Sequence, residues 1–139
     1  MPVHVLVADD NPLLAEAVAA LLETDARIEV VGCAGNGAEA VDFTHKLAPD
    51  VVLMDIRMPL MSGIEATRRI LAARPETRVL ILTAHGSAAE IDAAFAAGAV
   101  GCITKDDLGA RLIETVLGAV QPRSRELAAS FSALGLLST

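Results

Sequence analysis

The chain has 139 residues and a formal net charge of −7; 53% of it is apolar, but only 2% is aromatic, with neither Trp nor Tyr. That length supports one domain with an aliphatic core of useful size. The acidic balance excludes a phosphate-gripping nucleic-acid surface on this domain, three phenylalanines are too few to stack on bases or flavins, and no apolar run reaches the roughly 20 residues of a membrane span.

Short β-branched runs alternate with longer stretches of helical period. Val5-Leu6-Val7-Ala8 reads as a first strand and ends on Asp9-Asp10. Leu13, Leu14, Ala17, Val18, Leu21 and Leu22 then recur at helical spacing, behind Asn11 as cap and Pro12 in the first turn. Arg27 to Val31 reads as a second strand, and Glu39 to Leu47 as a helix opened by Asn36. Val51-Val52-Leu53-Met54 is a third strand ending on Asp55, followed by a helix over Ile64 to Leu71 behind Ser62. Val79-Leu80-Ile81-Leu82 is a fourth strand ending on Thr83, followed by an alanine-rich helix, roughly Ala88 to Ala97, behind Ser87. Val100 to Thr104 is a fifth strand running into Lys105, and Leu108, Leu112, Ile113, Val116, Leu117 and Val120 mark a fifth helix that Asp106 or Asp107 can cap. Asn36, Ser62 and Ser87 each carry a glutamate three positions on (Glu39, Glu65, Glu90), the signature of a capping box. Beyond Pro122 the character changes: residues 122–139 read as a sixth helix, with Leu127, Phe131 and Leu134 at helical spacing, or as a linker, and residues 1–121 as the domain proper.

Strand–helix alternation at these lengths requires a parallel sheet with helices on both faces. Parallel strands bring their carboxyl ends to one edge, where open α/β sheets bind ligands. Asp9, Asp10, Asp55, Thr83 and Lys105 all fall there. Crowded carboxylates repel, and a cation relieves the repulsion. Mg²⁺ suits such a site, because it takes oxygen ligands and bridges carboxylates to phosphoryl oxygens. A carboxylate can then act as a nucleophile toward phosphorus, with Lys105 and the Thr83 hydroxyl neutralising the phosphoryl oxygens. Pattern alone leaves the strand order open.

These residues resemble the response-regulator receiver domain of two-component signalling. The likeness rests on Asp9-Asp10, on Asp55-Ile56-Arg57-Met58-Pro59 followed by Ser62-Gly63, on Thr83-Ala84, and on Gly98-Ala99-Val100-Gly101 leading to Lys105. It covers about residues 3 to 120. It implies a doubly wound five-stranded α/β fold of flavodoxin-like order 2-1-3-4-5, which receivers share with flavodoxin. It further implies that Asp55 accepts a phosphoryl group from a histidine kinase or phosphotransfer protein. Asp10 and Asp55 would ligate Mg²⁺ with the backbone carbonyl of Arg57, and Asp9 would act mostly through metal-bound water. Lys105 would pair with the phosphoryl group or, before it arrives, with Asp55. Thr83 would move toward the phosphoryl oxygen. Lys105-Asp106 without a following proline, together with Gly98 to Gly101, is more like the NarL-type subfamily, which usually carries a C-terminal helix-turn-helix. The expected protein is therefore a cytoplasmic phosphorelay component that regulates transcription, not an enzyme with turnover. The alternative is a stand-alone or degenerate receiver acting through protein contacts.

Two positions depart from the family pattern. Cys102 stands where receivers usually have Tyr or Phe, and a thiol cannot swing as a ring does. Arg57 follows Asp55 by two, where its guanidinium either reaches the mouth of the site or is solvated. The fourth helix has only Ile91 and Phe95 as large anchors, so weak docking is expected, and the helix 4–strand 5–helix 5 face is the candidate homodimer surface. Met58, Leu60 and Met61 either cover the sheet edge or dock a partner. His85 lies two residues past Thr83; His4 and His45 read as structural or exposed. Cys33 and Cys102 lack any metal or redox spacing and read as two buried, reduced thiols. An aspartyl-phosphate hydrolase would place a second acid where Arg57 stands. A flavodoxin-like nucleotide binder would need a phosphate loop in place of Asp9-Asp10-Asn11-Pro12.

Overall fold

Continuous apolar runs cannot face water on either side, so they become strands covered on both faces. In the computed structural model, which describes residues 1–84 and 86–121, the strands are β1 Val3–Ala8, β2 Ile28–Ala34, β3 Val51–Asp55, β4 Arg78–Thr83 and β5 Gly101–Thr104. They form one parallel sheet in the order β2-β1-β3-β4-β5, as the resemblance implies. Helices α1 Pro12–Leu22, α2 Gly37–Leu47, α3 Gly63–Ala73, α4 Ala88–Ala96 and α5 Leu108–Ala119 alternate with them. His85 and the segment 122–139 lie outside the described residues.

Strand alternation divides the core into two layers. Leu6, Val52, Met54, Val79 and Ile81 face α2, α3 and α4. Val5, Val7, Val51, Leu53, Leu80 and Leu82 face α1 and α5. All of β3 is buried, and each fully buried Val or Leu side chain contributes about 1.5–3 kcal/mol. Registry then sets the site. Ala8 pairs with Met54, so Asp9 and Asp55 emerge side by side. Thr83 pairs with Thr104, which brings Lys105 to the same edge.

The side chains of Asn11, Asn36, Ser62 and Ser87 cap their helices as expected. The reciprocal half of the box forms only at Ser87–Glu90. Glu39 instead accepts from the Gly35 N–H, and Glu65 pairs with Arg68 and Arg69. Asp107 stands at the N-cap position of α5 but makes no side-chain cap bond, because a 3-10 turn over Lys105–Asp107 leads into that helix.

Three further expectations are corrected. β2 runs to Ala34, and the register slips between Val5 and Leu6, which face Val30 and Gly32, so Val31 is a bulge residue. Cys33 is exposed and Cys102 only half-buried, because β2 and β5 are the sheet's edges. Phe95 is 44% exposed and anchors little, leaving Ala94 as the buried residue of α4.

Candidate functional site

The site grows out of loop chemistry at the β1/β3 switch point, where the chain leaves neighbouring strands in opposite directions. Asp9 is 2% exposed; its Oδ1 accepts the Asn11 N–H at 2.9 Å. Asp10 is exposed and Asp55 is buried. Oxygens of these three carboxylates lie within 4.8 Å of one another. Behind Asp55 the chain turns tightly, with the Gly63 N–H donating to the Ile56 carbonyl at 2.8 Å. A Cβ on Gly63 would stand 1.9 Å from the Asp55 carbonyl oxygen, so glycine is what lets α3 start directly beneath the acid.

Lys105 supplies the positive charge. Its Nζ is 2.9 Å from Asp9 Oδ2 and 3.7 Å from Asp55 Oδ2. The lysine thus sits closer to Asp9 than to the Asp55 that the resemblance singles out. The Lys105 ammonium is the charge partner of the buried Asp9 Oδ2. Three carboxylates whose oxygens converge within 4.8 Å, two of them buried, form an all-oxygen donor set that fits a hard divalent cation with bound water.

The electrostatics agree. Burial raises the Asp55 carboxyl above its ordinary range, helped by Asp9 and Asp10 and opposed by Lys105. Burial would lower the Lys105 ammonium, but the pull of Asp9 and Asp55 outweighs it and the net shift is upward. The cluster therefore holds more negative charge than one lysine offsets, the condition a cation relieves.

Thr83, buried at the end of β4, shares a pocket of about 180 Å³ with Asp55, Lys105, Gly86, Arg57 and Glu90. Of the two expectations for Arg57, the structure shows the first: its side chain reaches the mouth of the site. It makes a bidentate ion pair with Glu90 on α4, at 2.8 Å from Nη2 and 3.2 Å from Nε. Glu90 is the site residue that sequence reasoning misses, since its pattern marks it only as a cap. Met58 is buried and covers the sheet edge, whereas Leu60 is 87% exposed at φ 67°. His4 contacts Glu29 at 3.3 Å, away from the site, and His45 is exposed. A concavity of about 790 Å³ lies between α4, β5 and α5, and none of the described residues that line it is ionisable.

The chain is thus a doubly wound α/β domain with an acid triad, a lysine and a hydroxyl gathered at its switch point. Residues 5–117 match the response regulator receiver domain family, and the chain belongs to that family. It is similar to the transcriptional regulatory protein LnrK of Bacillus subtilis, 36% identical over 83% of this chain and 52% of LnrK. It is also similar to protein-glutamate methylesterase/protein-glutamine glutaminase 2 of Photobacterium profundum, 41% identical over 92% of this chain and 33% of that protein. Among solved structures, the receiver domain of the putative response regulator NarL from Mycobacterium tuberculosis superposes with a TM-score of 0.83. It is 35% identical, covering 88% of this chain and 98% of that one. The chain thus spans about half of one relative and a third of the other. It is a signalling domain of two-component systems, and no helix among its described residues is long and apolar enough to cross a membrane.

Proposed function

We propose that this receiver accepts a phosphoryl group on Asp55 from a histidine kinase or phosphotransfer protein, in a Mg²⁺-dependent reaction. The observation that carries the reading is the meeting of Asp9, Asp10 and Asp55 within 4.8 Å, with Lys105 against two of them. Asp10, Asp55 and the backbone carbonyl of Arg57 would hold Mg²⁺, and Asp9 would hold its water. The ion, when bound, supplies charge neutralisation to the phosphoryl oxygens.

Asp55 Oδ attacks phosphorus, the P–N bond to the donor histidine breaks, and the departing imidazole nitrogen takes up a proton. The product is an acyl phosphate. Lys105 pairs with a phosphoryl oxygen and Thr83 donates its hydroxyl to another, both from groups already lining the pocket. Incubation with Mg²⁺ and acetyl phosphate followed by intact-mass measurement tests this. The wild type gains one phosphoryl group and Asp55→Asn gains none; an equal gain in the mutant contradicts the assignment.

The output is read as transcriptional and cytoplasmic, through a C-terminal DNA-binding domain, with residues 1–121 as the receiver and 122–139 as an extra helix or a linker. NarL and LnrK, both similar along the receiver, support it. The 41% identity to a methylesterase supports a second reading, a receiver that gates an appended enzyme, and a stand-alone receiver is the third. The α4–β5–α5 face is the proposed homodimer surface: sedimentation with and without beryllofluoride should show a heavier species only with it.

A further inference from the structure

We infer that the Arg57–Glu90 pair is a latch that holds the N-terminus of α4 against the site, and that a phosphoryl group on Asp55 draws Arg57 off Glu90 and releases the helix. The inference rests on Asp55 being the phosphoacceptor. Arg57 belongs to the loop after β3 and Glu90 to the first turn of α4, so their bidentate contact at 2.8 and 3.2 Å joins two elements across the mouth of the pocket. Both side chains line that pocket together with Asp55, Thr83 and Lys105.

The attachment matters because α4 has little else. Ala94 is its one buried residue, Ile91 is half-buried, and Phe95 is 44% exposed. α3, by contrast, buries Gly63, Ala66, Thr67 and Ile70. Glu90 also accepts from the Ser87 N–H and faces the Ser87 hydroxyl, each at 3.3 Å. The carboxylate gripped by Arg57 is therefore the one that caps the helix. Losing the guanidinium removes the tie to the β3–α3 loop and leaves the cap in place.

Competition follows from charge. Asp55 already acts on the Arg57 guanidinium, adding to the larger effect of Glu90. Phosphorylation replaces one carboxylate charge with a group of about −2 bearing three acceptor oxygens. A guanidinium fork matches that group bidentately, and an exposed carboxylate pair is a weak competitor. Cys102 is too small to report the event by swinging, so this pair offers a route from Asp55 to the outer helix.

Hydrogen exchange across residues 88–96 of the full chain, with and without Mg²⁺ and beryllofluoride, tests the latch. The wild type should exchange up to about fivefold faster at the start of α4 once beryllofluoride binds, the ceiling expected for an exposed bidentate pair. Glu90→Gln keeps the cap but loses the charge; it should show the faster rate without beryllofluoride and respond little to it. Arg57→Ala should match it, and Arg57→Lys should restore part of the response. A bound-fluoride ¹⁹F signal reports occupancy of Asp55 separately. Absence of that signal in the wild type overturns the Asp55 reading and the latch with it. A signal with unchanged α4 rates overturns the latch alone, as does a wild-type response in Glu90→Gln.

Discussion

α3 and α4 both follow strands that end at the site, yet they are seated in opposite ways. α3 begins where a Cβ on Gly63 would collide with the backbone of Asp55, and its Thr67 hydroxyl donates to the Gly63 carbonyl at 2.7 Å within the core. Its neighbour α2 approaches as closely: a Cβ on Gly37 would stand 2.2 Å from the Met61 carbonyl oxygen. α4 has one buried alanine, a half-buried Ile91 and an ion pair. The proposed phosphoacceptor is thus built on the rigid flank, and the helix proposed to respond lies on the loose one. A close-packed core transmits strain but resists displacement, so a switch belongs where packing is thin.

Substitutions that probe the rigid flank should have the largest effects. Gly63→Ala forces a methyl group into the Asp55 carbonyl and should cost about 3 kcal/mol in urea denaturation. Gly109→Ala on α5, where a Cβ meets nothing within 4 Å, should instead gain about 0.5–1 kcal/mol; equal losses at both sites would erase the distinction. Ile70→Ala on α3 should cost about 2–5 kcal/mol, whereas Phe95→Ala on α4 should cost under about 1 kcal/mol, since its ring is half in water. Matching losses in the same denaturation series would show that α4 is as firmly docked as α3.

The acid cluster makes a prediction about pH. Burial and neighbouring acids raise the Asp55 carboxyl in the folded state, so the native protein holds a proton that the unfolded chain has released. Stability therefore falls as pH rises from the unfolded value of 3.8 through the raised folded value. Without divalent cations, Asp55→Asn should melt above the wild type at neutral pH, and the gap should close in acid. Added Mg²⁺ should raise the wild type and leave Asp55→Asn nearly unmoved. The smallest effect is expected at Leu60, whose backbone sits at φ 67° with its side chain in solvent. Leu60→Gly should gain under about 1 kcal/mol by relieving that conformation, measured as a small rise in melting temperature.

Most of the frame is legible in the sequence because local rules act locally. Apolar runs, asparagine and serine caps, and strand-end acids each declare themselves within a few residues. What stays hidden depends on neighbours distant in sequence. Strand order follows from the family resemblance, since no periodicity encodes which strands adjoin. Cys33 is exposed because β2 has a partner on one side only, a fact of topology. Phe95 has the period of an anchor, but helix placement turns it outward. The Arg57–Glu90 contact spans 33 positions, and its only local sign is a capping box that sets a carboxylate at the mouth of the site.

Titration with Mn²⁺, followed by paramagnetic broadening of backbone amide signals, tests the shared cation site most directly. At substoichiometric metal the account predicts that signals from Asp9 to Asn11 and from Asp55 to Met58 vanish together and return when excess Mg²⁺ is added. Broadening spread evenly over the acidic surface, or confined to one of those two loops, would contradict it.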